Sequence, residues 1–216
     1  MKSRRKVSEK AEPLHLYLQG SLVYRFCFAT IVPLLLSLYA DLRVSGAENI
    51  PGGGPFIVIS NHVDNLDTYV IGSQIPRLLH YFARANGMHS RWLGRYWRWM
   101  AAIPADGDGF KTAIALLREG QAVGVFPEGV IAPALVRAKP GVAVLALRSG
   151  APVLPCAVWG TERVRVGDAL RRPRVHLRFG PPRTLKRGSG RSQELADLLM
   201  HDVAALMPPR YRGYYT

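Results

Sequence analysis

The sequence predicts an α/β protein: a central mixed, largely parallel sheet flanked by helices, preceded by an N-terminal membrane-associated helical segment. Three observations carry this. From Val44 onward, short apolar runs alternate with segments of helical pattern, the order of a layered α/β fold. The 16 prolines and 21 glycines supply turns between many short elements. Ahead of that region, a basic tail leads into a mostly apolar stretch from Leu22 to Ala40.

The tail carries Lys2, Arg4, Arg5, Lys6 and Lys10. The apolar stretch is interrupted by Arg25 and Pro33, and a spanning helix needs ~20 apolar residues. A secretory signal, a single spanning helix, a helix lying in one leaflet and a buried core helix all compete here. The leaflet reading is preferred, because basic residues flank an apolar face rich in Leu, Phe and Tyr. In it the early cations sit over anionic headgroups, each contributing about 1 kcal/mol of attraction. This divides the chain into a membrane-associated segment, 1–43, and one folded domain, 44–216.

Within the domain, Phe56 to Ile59 follows the turn Pro51-Gly52-Gly53-Gly54 and reads as a buried strand. Leu79 to Ala83 and Ala122 to Phe126 read as two more. Val153 to Val158 reads as a fourth, with Pro155 predicting a sheet edge or a bulge. Arg174 to Phe179 alternates polar and apolar, as a half-exposed strand does. Helices are predicted at about 67–75, 88–100, 108–119, 140–149 and 192–206.

Composition narrows the function. With 216 residues and 48% hydrophobic content, the chain can fold around one substantial core. A formal net charge of +14 marks a polyanionic partner, either anionic membrane or nucleic acid. Trp92, Tyr96, Trp97 and Trp99 lie among Arg91, Arg95 and Arg98, a mixture that suits a membrane interface as well as base stacking. Membrane is the preferred partner and no nucleic acid is expected. Cys27 and Cys156 form no CxxC pair and no Cys/His cluster has zinc spacing, so a reducing compartment and no metal are expected.

The informative stretch runs from Ser60 to Asp67, directly after a predicted buried strand. A histidine where a strand of an α/β sheet gives way to a loop can act as a general base near neutral pH. A carboxylate on its other nitrogen fixes the tautomer and stabilises the imidazolium. On a regular helix, His62 and Asp67 would point about 140° apart. They meet only if the chain turns between them and a helix starts near Asn65 or Asp67. Asp64 is a rival partner, and a surface histidine beside a helix-capping aspartate is the plainer alternative. Three later segments bear on that choice: Phe126-Pro127-Glu128-Gly129 after another strand, Lys139-Pro140-Gly141 opening a helix, and the strand Val153 to Val158.

The order of these motifs resembles the glycerolipid acyltransferase family, which includes the glycerol-3-phosphate and lysophosphatidic acid acyltransferases. The N-H-x4-D motif matches Asn61, His62 and Asp67, the F-P-E-G motif matches 126–129, and the later lysine-x-glycine matches Lys139 and Gly141. The lead-in Gly46 to Pro51 is also similar, and the likeness spans roughly 44 to 182. The resemblance implies direct transfer of a fatty acyl group from acyl-CoA or acyl-carrier protein to a lipid hydroxyl, with no cofactor. It implies His62 as base, Asp67 as its orienting partner, and Asn61, Glu128, Gly129, Lys139 and Arg84 around the acceptor. The expected acceptor is a lysophospholipid such as lysophosphatidic acid, and the expected place is the cytoplasmic face of the cell membrane.

The sequence departs from the family's common form at Asp64, at Val130-Ile131 and at Ala105. The latter two positions lack an arginine that would pair with an acceptor phosphate. A non-phosphate amphiphile is therefore the alternative acceptor, and a catalytically silent lipid-binding relative the alternative function. No G-x-S-x-G elbow is present, and no covalent acyl-enzyme is expected.

Overall fold

The computed structural model describes residues 21–83, 90–165, 167 and 171–216. A seven-stranded sheet in the order β1-β7-β6-β2-β5-β3-β4 forms its centre. The strands are β1 Asp41–Ser45, β2 Phe56–Ser60, β3 Leu79–Ala83, β4 Ile103–Pro104, β5 Ala122–Val125, β6 Val153–Trp159 and β7 Arg174–Phe179. Among the described residues, β6 and β7 pair antiparallel, an isolated antiparallel bridge joins Val153 to Arg183, and the other strand pairings are parallel. The mixed, largely parallel sheet matches expectation. β1 spans the 43/44 position, and its half-exposed D-L-R-V-S pattern carries too little apolar signal to read as a strand alone.

Helices cover both faces, which is why β2 and β6 are buried along their whole length. On one face, Ile57 and Ile59 pack with Leu116, Ala143 and Leu199 from α5 (Gly107–Arg118), α6 (Gly141–Ser149) and α7 (Ser192–Ala205). On the other, Phe56 and Val58 pack with Leu36 of α2 (Val32–Tyr39) and Val70 of α3 (Asp67–Gln74). Alternating residues of one strand thus serve two cores. Losing either face would cost about 2–5 kcal/mol per large residue truncated to alanine.

Pro155 sits in an interior strand, not at an edge. Pro152 sends its carbonyl to Ile57 on β2, so the odd-numbered residues of β6 bond toward β7. There the Pro155 carbonyl accepts from Gly180, just past the end of β7. Pairing resumes at Val153 and Arg183, two residues on from Pro155 but three on from Gly180, so the missing N–H falls at a bulge in the ladder.

The N-terminal run is helical from α1 (Ser21–Phe26) through a π turn, Cys27–Ile31, into α2. Pro33 does not break it. A proline ring displaces the carbonyl four residues back, here Ala29 inside the wide turn, and Val32 N–H reaches Cys27 instead. One side of this run is buried through Tyr24, Phe28 and Leu36, while Phe26 (62%) and Leu34 (63%) are exposed with Leu35 and Leu38. Among the described residues, no helix is long and apolar enough to cross a membrane. In α4 (Arg91–Trp99), Trp92 and Trp99 are exposed, but Tyr96 turns inward and its hydroxyl meets that of Tyr69 on α3.

Candidate active site

Three adjacent parallel strands, β6, β2 and β5, end at the same edge of the sheet, and each delivers residues there. After β2 the chain turns at 61–66, and Asp67 opens α3. The Asp67 carboxylate folds back over that turn. Its Oδ2 accepts from Val63 N–H (2.7 Å), Asp64 N–H (2.9 Å) and His62 Nδ1 (3.0 Å). Its Oδ1 accepts from the Thr161 hydroxyl (2.6 Å), carried at the end of β6. Asp67 is completely buried, and four donors hold its charge.

That arrangement settles two questions of geometry. Asp67, not Asp64, is the histidine's partner, because the Asp64 carboxylate instead accepts from Leu66 N–H. The tautomer follows as well. A carboxylate can only accept, so Nδ1 carries the proton and Nε2 is left with its lone pair. The imidazole stacks on Phe126 at 4.0 Å between centroids, which fixes its tilt. His80 has no such place: it is buried in β3, bonded through Nδ1 to the Ala101 carbonyl, and burial pushes its pKa down to about 4.

From β5, Phe126-Pro127-Glu128-Gly129 turns into the loop 130–138. Glu128 is buried, and its Oε2 accepts from Val136 N–H at 2.7 Å. Ala132 N–H bonds the His62 carbonyl at 2.8 Å, so the loop is tied directly to the histidine. The C-terminal tail closes it from outside: Leu135 N–H bonds the Tyr211 carbonyl, and Ala138 N–H bonds the Tyr215 hydroxyl. Gly129 has φ +69, and a Cβ there would lie 2.7 Å from Lys139 Nζ. Glycine therefore lets the lysine ammonium lie over the turn.

Comparison with known proteins gives the family. The family profile described as Acyltransferase matches residues 41–159. A 1-acyl-sn-glycerol-3-phosphate acyltransferase of Bacillus subtilis is 30% identical over 166 residues, covering 74% of this chain and 82% of that protein. The chain belongs to the glycerolipid acyltransferase family. A Saccharomyces cerevisiae protein of the same name is 28% identical over 148 residues, covering 63% of this chain and 48% of that one. The fold is shared with the crystal structure of the 1-acyl-sn-glycerophosphate (LPA) acyltransferase PlsC from Thermotoga maritima. Its TM-score is 0.70 at 24% identity, covering 84% of this chain and 78% of that one.

In this acyltransferase the structure brings His62, Asp67, Glu128, Gly129 and Lys139 to one end of the sheet. Asn61, expected around the acceptor, has its amide turned to the sheet. Its Nδ2 donates to the Val158 carbonyl (2.7 Å) and its Oδ1 accepts from Val158 N–H (2.9 Å), so both ends of the amide are committed to β6. Arg84 lies outside the described residues. Thr161 and the Tyr211–Tyr215 tail were not singled out from sequence. Thr161 follows a strand end, a signal that was available; the tail bears no pattern that points to the site. Cys156 is buried and in no disulfide, and burial pushes its thiol pKa up against the pull of a hydrogen bond with Ser60, away from the thiolate a nucleophile needs.

Burial raises the Glu128 pKa to about 7, against the opposing pull of the Val136 and His62 N–H groups. Between the ordinary carboxyl range and about 7, the folded chain keeps a proton that the unfolded chain has lost. Stability contributed here therefore falls as pH rises through that window. Glu128→Gln stays neutral and keeps an acceptor for Val136. The Tm of this variant relative to the native enzyme should rise from about pH 4.5 to about pH 8. Calorimetry across that range checks it, and parallel Tm curves would contradict it.

Proposed function

We propose that this enzyme transfers a fatty acyl group from an acyl thioester, acyl-CoA or acyl-carrier protein, to the free hydroxyl of a lysophospholipid of the lysophosphatidic acid type. The observation that carries the reading is the His62 Nδ1 to Asp67 Oδ2 contact of 3.0 Å, which leaves Nε2 as a base. Nε2 takes the proton of the acceptor hydroxyl as its oxygen attacks the thioester carbonyl. The buried Asp67 charge stabilises the imidazolium that forms. The tetrahedral intermediate then collapses, the C–S bond breaks, and the thiolate takes the proton back, giving ester and thiol. Such base catalysis contributes ~10²–10⁴-fold. The names of the curated relatives support the glycerophosphate acceptor, and Lys139 over Gly129 places a cation beside the F-P-E-G turn.

A second acceptor class has one observation in its favour. A cavity of about 250 Å³ opens beside the site, lined by Val63, Ile131, Ala132, Pro133, Glu162 and Tyr211. It offers apolar surface and a carboxylate but no cation, which suits a non-phosphate amphiphile better than a phosphate. A panel of acceptors with one labelled acyl thioester decides between them. We expect turnover on lysophosphatidic acid. Turnover only on uncharged or amine-bearing lipids would replace that acceptor with the second class.

For location, the exposed Phe26, Leu34, Leu35 and Leu38 and the exposed Trp92 support docking into one leaflet, with anionic lipid on the cytoplasmic face as partner. The preceding lysines and arginines lie outside the described residues.

A further inference from the structure

We propose that Thr161 is a positioning residue for acyl transfer, clamping the Asp67 carboxylate from the neighbouring strand; this rests on the general-base reading of His62. The hydroxyl and the carboxylate are both completely buried, and the bond between them is 2.6 Å. Asp67 Oδ2 already has three donors, all from residues 62–64. Oδ1 has Thr161 as its donor. A carboxylate pinned through one oxygen can still rotate about its last side-chain bond; pinned through both, its plane is fixed, and with it the direction in which Nδ1 of His62 is held.

The clamp is built by the end of β6. Gly160 takes φ +94, where a Cβ would lie 2.3 Å from the Arg174 carbonyl oxygen, so the chain turns sharply after Trp159. Glu162 holds the turn. Its Oε2 accepts from Gly160 N–H and its Oε1 from the Tyr211 hydroxyl, each at 2.8 Å. Three residues before Thr161, Val158 pairs through its own N–H and carbonyl with the Asn61 amide. β6 therefore grips the N-H-x4-D segment at both ends, Asn61 through Val158 and Asp67 through Thr161. The Thr161 bond spans 94 positions of sequence.

The test compares Thr161→Val, which keeps shape and loses the hydroxyl, with Thr161→Ser, which keeps the hydroxyl. For the valine variant we expect kcat to fall about 10–100-fold, with KM for donor and acceptor within about twofold of native. Serine should restore kcat to within about threefold. If valine prevents folding, as read by circular dichroism, alanine against serine at the same position reads the same hydroxyl. A hydroxyl-free variant with native kcat overturns the proposal, as does equal loss in the serine and hydroxyl-free variants. His62→Ala is run alongside. If it stays active, the general-base reading fails; if it is inactive while the hydroxyl-free variant is native, only the Thr161 assignment fails.

Discussion

His62→Ala will lower kcat for acyl transfer by ~10²–10⁴-fold while leaving the fold in place. The imidazole is the group whose free nitrogen faces out of the Asp67 turn, and its side chain is 16% exposed. Its removal takes away one donor to Asp67 Oδ2, but the Val63 and Asp64 N–H groups and the Thr161 hydroxyl remain. The buried charge therefore stays compensated, and the change in Tm should be small beside the change in rate. Steady-state kinetics with one labelled thioester, paired with a melting curve, separates the two. Native kcat in the variant would remove the base from the mechanism.

Asp67 responds differently to two substitutions, and the contrast is the second expected result. Asp67→Asn can keep its carbonyl toward Val63, Asp64 and His62 while its NH₂ faces Thr161, which then accepts instead of donating. The fold survives, but the charge that stabilises the imidazolium in the proposed mechanism is gone, and kcat should fall on the order of 10³–10⁴-fold. Asp67→Ala leaves the Val63 and Asp64 amides and the Thr161 hydroxyl without their acceptor. At about 1–3 kcal/mol for each such donor, the loss is a large part of the stability of an ordinary domain. Denaturant unfolding should show the alanine variant strongly destabilised and the asparagine variant close to native. Equal destabilisation of the two would mean that the carboxylate's charge, rather than its acceptor geometry, holds the turn.

Much of this was legible in the chain. Phe56 to Ile59 announced a buried strand because its alternate residues face the two cores of a sheet covered on both sides. The strands at Leu79 and Arg174 were found to the residue. The helix after His62 begins at Asp67, as the spacing of the pair required if they were to meet. What the chain left open has physical causes. Pro155 pointed to an edge or a bulge because a proline cannot donate to a ladder; the strand is interior and the bulge between Gly180 and Arg183 takes up the missing donor, which depends on a segment 25 to 30 positions away. The hydrogen bonds of Asn61 were not legible because an amide next to a histidine has no local signature of what it bonds. Its partner, Val158, lies 97 positions away.

The sequence by itself determined the local chemistry: which residues are apolar at strand and helix periods, where the chain turns, and that a histidine and an aspartate stand five apart after a strand. Those properties depend on near neighbours along the chain. Only the tertiary structure decided which of two aspartates faces the histidine, that Phe126 just after β5 backs the ring, and that Thr161 in the turn after β6 holds the carboxylate from behind. The reason is strand order. β6, β2 and β5 lie side by side in the sheet but are far apart in the chain, and hydrogen bonds between their ends exist only once the sheet has formed.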